Sequence, residues 1–145
     1  MRIALRSSVA SLAAVAFLVA APAAFAEMQH YTAELKGSAE VPPNDSKATG
    51  MLDATYDTAS KKLTYTASYS GLTGPATAAH FHGPAAATAN AGVVVPVKDV
   101  HSSPMKGEAT LTDAQAADLQ AGKWYFNIHT AAHPGGEIRG QAMKK

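Results

Sequence analysis

Histidines are the residues of this sequence best suited to chemistry. His80 and His82 are two positions apart in a segment that alternates like a β-strand, so both side chains leave the same face. His129 lies in a second such segment, and His133 follows in a turn rich in proline and glycine. If the two segments are neighbouring strands, three or four imidazoles converge. The spacing therefore predicts a metal site formed by His80, His82, His129 and His133.

The available ligand types restrict the ion. The chain has no cysteine, which excludes thiolate nucleophiles, blue-copper sites and cysteine zinc sites. Imidazole suits copper, zinc and nickel, and the affinity order among divalent ions favours copper. A copper ion, Cu(I) or Cu(II), is therefore the predicted cofactor, with zinc as a second candidate.

A plainer interpretation of these residues stays open. A pair of histidines two positions apart often lines a polar sheet face, and His129 could be a buried histidine bonded to the backbone. His30 lies on the polar face of the first predicted strand, and whether it joins the site is open. We expect His101 to be a solvated loop residue. Glu137 and Arg139 share a face of the last predicted strand, which favours an ion pair.

The segments that carry the histidines show the period-two alternation of β-strands. Residues 52–56 and 63–69 are predicted to form an antiparallel hairpin. Further strands are predicted near residues 31–35, 76–82, 93–95, 107–111, 124–128 and 138–142. Thr112 and Gln115 resemble a capping box, with Gly122 as the C-terminal cap, and predict one short helix. This pattern is typical of an all-β antiparallel sandwich or Greek-key barrel.

The N-terminus predicts export. Arg2 and Arg6 flank the start of an Ala-rich apolar run that ends in Ala24-Phe25-Ala26, which predicts a signal peptide over residues 1–26, cleaved after Ala26. A membrane anchor is the alternative, but the run is short and contains Pro22. We expect one domain, residues 27–145, located in the periplasm or secreted.

The charge of the predicted mature domain excludes one class of partner. The net charge of +1 for the whole chain becomes about −1 without the two signal arginines, and no basic stripe is present, so no nucleic-acid partner is expected. A second long apolar segment is also lacking, so we expect no membrane span after signal cleavage. The oligomeric state and an envelope protein as partner are left open.

Longer motifs resemble a known family. They are Leu35-Lys36-Gly37-Ser38-Ala39-Glu40-Val41-Pro42-Pro43, Ala78-Ala79-His80-Phe81-His82-Gly83-Pro84, Gly92-Val93-Val94-Val95-Pro96, Leu119 to Thr130, and Pro134-Gly135-Gly136-Glu137-Ile138-Arg139-Gly140-Gln141. Together they are similar to the CHRD domain, which is named after chordin and also occurs alone in secreted bacterial proteins. The resemblance implies an antiparallel immunoglobulin-like β-sandwich and a binding role rather than an enzyme. The family more usually has asparagine at the position of His133.

Three functions follow from these observations. The leading hypothesis is an exported metal-binding protein, for copper storage, delivery or tolerance. The first alternative is a metal-free cell-envelope module that binds protein or glycan. The second alternative is a copper oxidoreductase of the superoxide dismutase type. A histidine pair on a strand is common to that enzyme, but this chain has neither its disulfide nor a clear aspartate ligand.

Overall fold

The computed structural model describes residues 25–145, and the predicted signal peptide lies, apart from Phe25 and Ala26, outside the described residues. Residues 25–145 contain nine strands: β1 Met28–Lys36, β2 Thr49–Asp57, β3 Lys62–Ser70, β4 Ala76–His82, β5 Val93–Pro96, β6 Met105–Thr110, β7 Tyr125–Thr130, β8 Ile138–Gln141 and β9 Met143–Lys144. A short 3₁₀ turn, Gly37–Ala39, follows β1, and helix α1 spans Asp113–Gln120. Among these residues no helix has the length and apolar character needed to cross a membrane.

The strands form one antiparallel sheet in the order β5-β4-β7-β8-β1-β2-β3-β6, with β9 beside β1. The predicted hairpin is confirmed, because β2 and β3 pair along their whole length from Thr49 opposite Ser70 to Asp57 opposite Lys62. The predicted helix is confirmed together with its capping box between Thr112 and Gln115.

The sheet curls until its distant strands face each other across one core. Tyr65 on β3 lies edge-on to Phe81 on β4, with ring centroids 5.0 Å apart, although four strands separate β3 from β4 in the sheet order. Phe81 also contacts Phe126 on β7, with centroids 4.9 Å apart. The fold is thus all-β and antiparallel, as expected, with one continuous sheet that surrounds the core and is nearly closed like a barrel. The Greek-key or immunoglobulin-like sandwich arrangement stays a prediction.

Strand β7 is buried on both faces, which is unusual for an antiparallel sheet. Phe126 and Ile128 point into the core, as their alternation predicted. Tyr125 and Asn127 point outward, and they are buried because the loop of residues 83–92 between β4 and β5 folds over them. A backbone hydrogen bond from Gly83 to Gly92 closes the base of this β4–β5 loop. The loop makes the outer face of β7 an enclosed polar environment.

Candidate metal centre

Pairing of β4 with β7 brings the predicted histidines together. In the register, Ala78 is opposite His129 and His80 is opposite Asn127. His80 and His82 alternate with Phe81, which is fully buried in the core, so both imidazoles lie on the outer face. The convergence of the imidazoles required β4 and β7 to be neighbouring strands, and the structure shows that they are.

The three rings of His80, His82 and His129 form a compact group, called here the three-histidine cluster. One nitrogen from each ring lies within 4.8 Å of the others. His80 Nδ1 and His129 Nε2 are 3.2 Å apart, which matches the ~3.3 Å edge of a tetrahedral site with metal–nitrogen bonds of about 2.0 Å. Nitrogens on opposite sides of an ion are about 4.1 Å apart at most. Closing a pair 4.8 Å apart around an ion thus needs a movement of about 0.7 Å for opposite ligands and about 1.5 Å for a tetrahedral edge.

Two backbone carbonyls fix the protons of the cluster. His82 Nδ1 is 3.0 Å from the carbonyl oxygen of Ala91, and His129 Nδ1 is 2.9 Å from that of Pro134. A carbonyl oxygen only accepts, so each of these contacts is a hydrogen bond in the tautomer whose Nδ1 carries the proton. The Nε2 atom of each neutral ring is then an unprotonated lone pair. Carbonyl partners that hold a histidine in one tautomer are typical of metal-binding histidines.

Asn127 adds an oxygen to the same point. Its Oδ1 lies 2.9 Å from Nε2 of His82 and 2.9 Å from Nε2 of His129. In the tautomer with Nδ1–H, two Nε2 lone pairs and an amide oxygen, all acceptors, therefore converge, and His80 Nδ1, 3.2 Å from His129 Nε2, is the ring nitrogen placed to donate to them. Such a group is stabilised by a proton or a metal cation at its centre.

Glu40 and Gly136 lie on the side of the Asn127 amide that faces away from the histidines. Asn127 Nδ2 and Glu40 Oε1 both lie against the α-carbon of Gly136, in space that a side chain at this position would need. Gly136 has φ +127°, a conformation that favours glycine. With the amide nitrogen toward Glu40, the amide oxygen faces the histidines.

Burial favours the neutral forms of His80 and His82. It lowers the pKa of His80 below its ordinary value of 6.5, and repulsion from His129 and His82 lowers it further. Burial is also the largest cause of the lowered pKa of His82, and the hydrogen bonds with Ala91 and Asn127 oppose it only in part. Neutral imidazole is the form that binds metals, so these rings need no deprotonation at neutral pH.

Glu40 is the carboxyl group buried behind the site. Its side chain is 6% exposed, and burial raises its pKa to about 7, against the opposing effects of Arg139 and of the Asn127 amide. Glu40 Oε1 has no hydrogen-bond partner among residues 25–145. The environment therefore holds this carboxyl close to the balance between its neutral and ionised forms.

The other predicted histidines lie apart from the cluster. His133 is half-buried in the β7–β8 turn and lines a cleft of about 270 Å³ with Glu40 and Pro42, and it is not a member of the group of converging nitrogens. Its role as a fourth ligand stays a prediction. His30 is exposed on β1 and lies 3.3 Å from Thr55 Oγ1. His101 is an exposed loop residue, as expected.

The expected ion pair between Glu137 and Arg139 is wrong. Glu137 accepts hydrogen bonds from the hydroxyl groups of Ser46, Thr73 and Thr130 at 2.6–2.8 Å. These hydroxyl donors satisfy its carboxylate, which therefore needs no cation.

Arg139 lies instead under the β4–β5 loop, where it donates to Asn90 Oδ1 and to the carbonyl oxygens of Ala87 and Ala89. Sequence reasoning missed its place beside the site. The signal that could have found it is register: β8 pairs with β7 so that Arg139 is opposite Asn127.

The fold and the cluster define a class: a small antiparallel β-protein with three histidines on the outer face of two adjacent strands. The family model of the CHRD domain matches residues 31–142, and the chain belongs to the CHRD domain family. This range includes every strand bearing the cluster. No curated protein and no solved structure gives a significant match to the chain.

Proposed function

We propose that this protein binds a metal ion through His80, His82 and His129, that the ion is copper, and that the protein does so after export to the periplasm or the cell exterior. The observation that carries the proposal is the convergence of the Nε2 atoms of His82 and His129, whose Nδ1 atoms face the carbonyls of Ala91 and Pro134, with the third imidazole 3.2 Å from one of them. A plain polar sheet face has no need of this fixed arrangement of lone pairs.

The donor set supports copper. Three neutral nitrogens with an amide oxygen beside them suit copper and zinc better than magnesium or calcium, which take several carboxylate or carbonyl oxygens. Zinc sites built by proteins commonly include a carboxylate or thiolate, although three histidines also hold zinc. Copper binds nitrogen sites more tightly than zinc does. A role in copper storage, delivery or tolerance follows from a site of this kind in an exported protein.

The test is a titration of the purified protein with Cu(I) under anaerobic conditions and with Cu(II), followed by metal analysis. We expect one ion per chain. His80→Ala, His82→Ala and His129→Ala should each weaken binding by roughly 100-fold or more, since even partners that only orient a ligand are worth 10- to 100-fold. His101→Ala, at an exposed loop position, is the matched control and should bind as the parent does. His133→Ala tests the fourth ligand.

The metal proposal and the export proposal can each be contradicted by a separate result. No uptake, or uptake that the three cluster substitutions do not change, would contradict the metal proposal and favour the envelope binding module. The export part is tested separately, by the mass of the protein recovered from outside the cytoplasm. We expect a mature chain that begins at Glu27, and an uncleaved N-terminus would contradict the proposal of a removed signal peptide.

A further inference from the structure

A buried cation lies next to the three-histidine cluster. Arg139 is 1% exposed, and its guanidinium donates to Asn90 Oδ1 at 2.9 Å and to the Ala89 carbonyl at 2.7 Å. These partners are neutral. None of the ion pairs found within residues 25–145 involves Arg139, so its charge is solvated by dipoles and not cancelled by a contacting carboxylate.

One aromatic ring separates this cation from a predicted ligand. The Arg139 guanidinium carbon lies 3.4 Å from the centre of the Tyr125 ring. On its other side Tyr125 stacks on His82, with ring centroids 4.7 Å apart and planes 5° from parallel. The Tyr125 hydroxyl also contacts the backbone of Ala91, whose carbonyl holds His82. Guanidinium, phenol and imidazole thus form a continuous stack that ends at the site.

The surroundings compensate this charge only in part. The cluster has no carboxylate ligand among its members, and Glu40, the carboxyl group that acts electrostatically on Arg139, has a pKa of about 7. A metal ion entering the cluster therefore meets a positive potential from a cation that water does not screen well. The repulsion on a dication is twice that on a monocation.

We propose that the Arg139–Tyr125 stack biases the cluster toward a monovalent soft cation, Cu(I) rather than Cu(II) or Zn²⁺. This inference rests on the proposed function and specifies the charge and oxidation state of the bound ion. Three nitrogens in an open arrangement suit Cu(I), whereas Cu(II) prefers a tetragonal set of ligands. Arg139 is a specificity-determining residue that never touches the ion and acts through its charge.

The experiment measures the ratio of Cu(I) to Cu(II) affinity in the full-length mature protein and its variants. Arg139→Gln removes the charge and keeps an amide donor toward Asn90. A unit charge about two ring spacings away, at an effective dielectric constant of roughly 20 to 40, changes this ratio by about 5- to 25-fold. We expect Arg139→Gln to lower the ratio by that factor and Arg139→Lys to leave it near the parent value. Lys144→Gln, which removes an exposed positive charge, is the matched control and should have no effect.

A second variant keeps the test decisive if Arg139→Gln does not fold. Glu40→Gln removes the carboxylate that offsets Arg139 at pH 8, so the ratio should rise there and stay unchanged at pH 5.5, where Glu40 is protonated. Ag(I) and Zn²⁺ repeat the comparison without redox chemistry. An unchanged ratio of Cu(I) to Cu(II) affinity in a folded Arg139→Gln protein, or in Glu40→Gln at pH 8, overturns the inference. If the parent still binds copper, the proposed metal site stands. Loss of binding in the parent itself would instead overturn the proposed function.

Discussion

At the scale of single residues, the positions of two protons decide what the cluster can bind. When the carbonyls of Ala91 and Pro134 accept the Nδ1–H of His82 and His129, both Nε2 lone pairs point at one place. A histidine pair that only lined the sheet would be free to donate from either nitrogen. The same backbone contacts therefore make the rings poor donors to water on the Nε2 side and good ligands to a cation.

The lowered pKa values of His80 and His82 predict how binding depends on acidity. Protons compete with the metal at His80 and His82 only below the pKa of each ring, and burial lowers both values below the ordinary 6.5. We therefore expect copper affinity to be flat from pH 8 to pH 6.5 and to fall only at lower pH. Competition titrations at half-unit intervals measure this. A fall that begins well above pH 6.5 would contradict the buried, neutral cluster.

Glu40 predicts a second pH effect, on the stability of the metal-free protein. Its pKa is about 7 in the folded protein and 4.5 as the ordinary value, so between these pH values the folded chain holds more protons than the unfolded chain. The free energy of unfolding must then decrease as pH rises from 4.5 to 7, by roughly 2–3 kcal/mol from this group. Glu40→Gln should remove this slope. Urea unfolding of both proteins at pH 5 and pH 8 measures it, and an equal slope in both would contradict the raised pKa.

At the scale of elements, two connections turn a strand pair into a site. The β4–β5 loop places Ala91 on His82 and covers Tyr125, and the β7–β8 turn places Pro134 on His129. The turn is tight because Gly136 N donates to the His133 carbonyl at 3.0 Å and Thr130 and His133 exchange backbone hydrogen bonds. Both connections contribute backbone oxygen atoms, so their shape matters more than their side chains.

A substitution at Gly136 is expected to disturb the shape of the β7–β8 turn most strongly. Its φ of +127° strains any other residue, and an added Cβ would collide with Glu40 and Asn127. We expect Gly136→Ala to lower the free energy of unfolding by about 2–4 kcal/mol and to weaken copper binding, because Asn127 and the Pro134 carbonyl must move.

The adjacent glycine supplies the control for that substitution. A Cβ at Gly135 would meet nothing within 4 Å, so Gly135→Ala should change stability by about 0.5 kcal/mol or less. Chemical unfolding and a copper titration on both variants measure the two effects. Equal behaviour of the two variants would contradict the role given to Gly136.

At the scale of the whole molecule, local alternation predicts strands but not their neighbours. The period of two located β1 to β4 and β7, and it placed Phe81 inside and His80 and His82 outside, because each strand segment has one core-facing side. The order β4-β7-β8-β1 comes from long-range pairing, which no local pattern records. Arg139 and Glu40 reach the site only through that order, and so the charges around the cluster were missed while its three histidines were predicted.

A ligand that binds only the folded chain must stabilise the whole molecule, because the three histidines meet only when β4 and β7 pair. At a free copper concentration 100 times the Kd the gain is about 2.7 kcal/mol, which raises Tm by roughly 8–14 °C for a domain of this size. We expect this shift under anaerobic conditions with Cu(I), a smaller shift with Zn²⁺, and none in His82→Ala or His129→Ala. A His101→Ala protein should shift as the parent does. Equal shifts in the cluster variants and the parent would mean that copper acts elsewhere on the chain, and the outer face of β4 and β7 would then have to be explained as a polar surface.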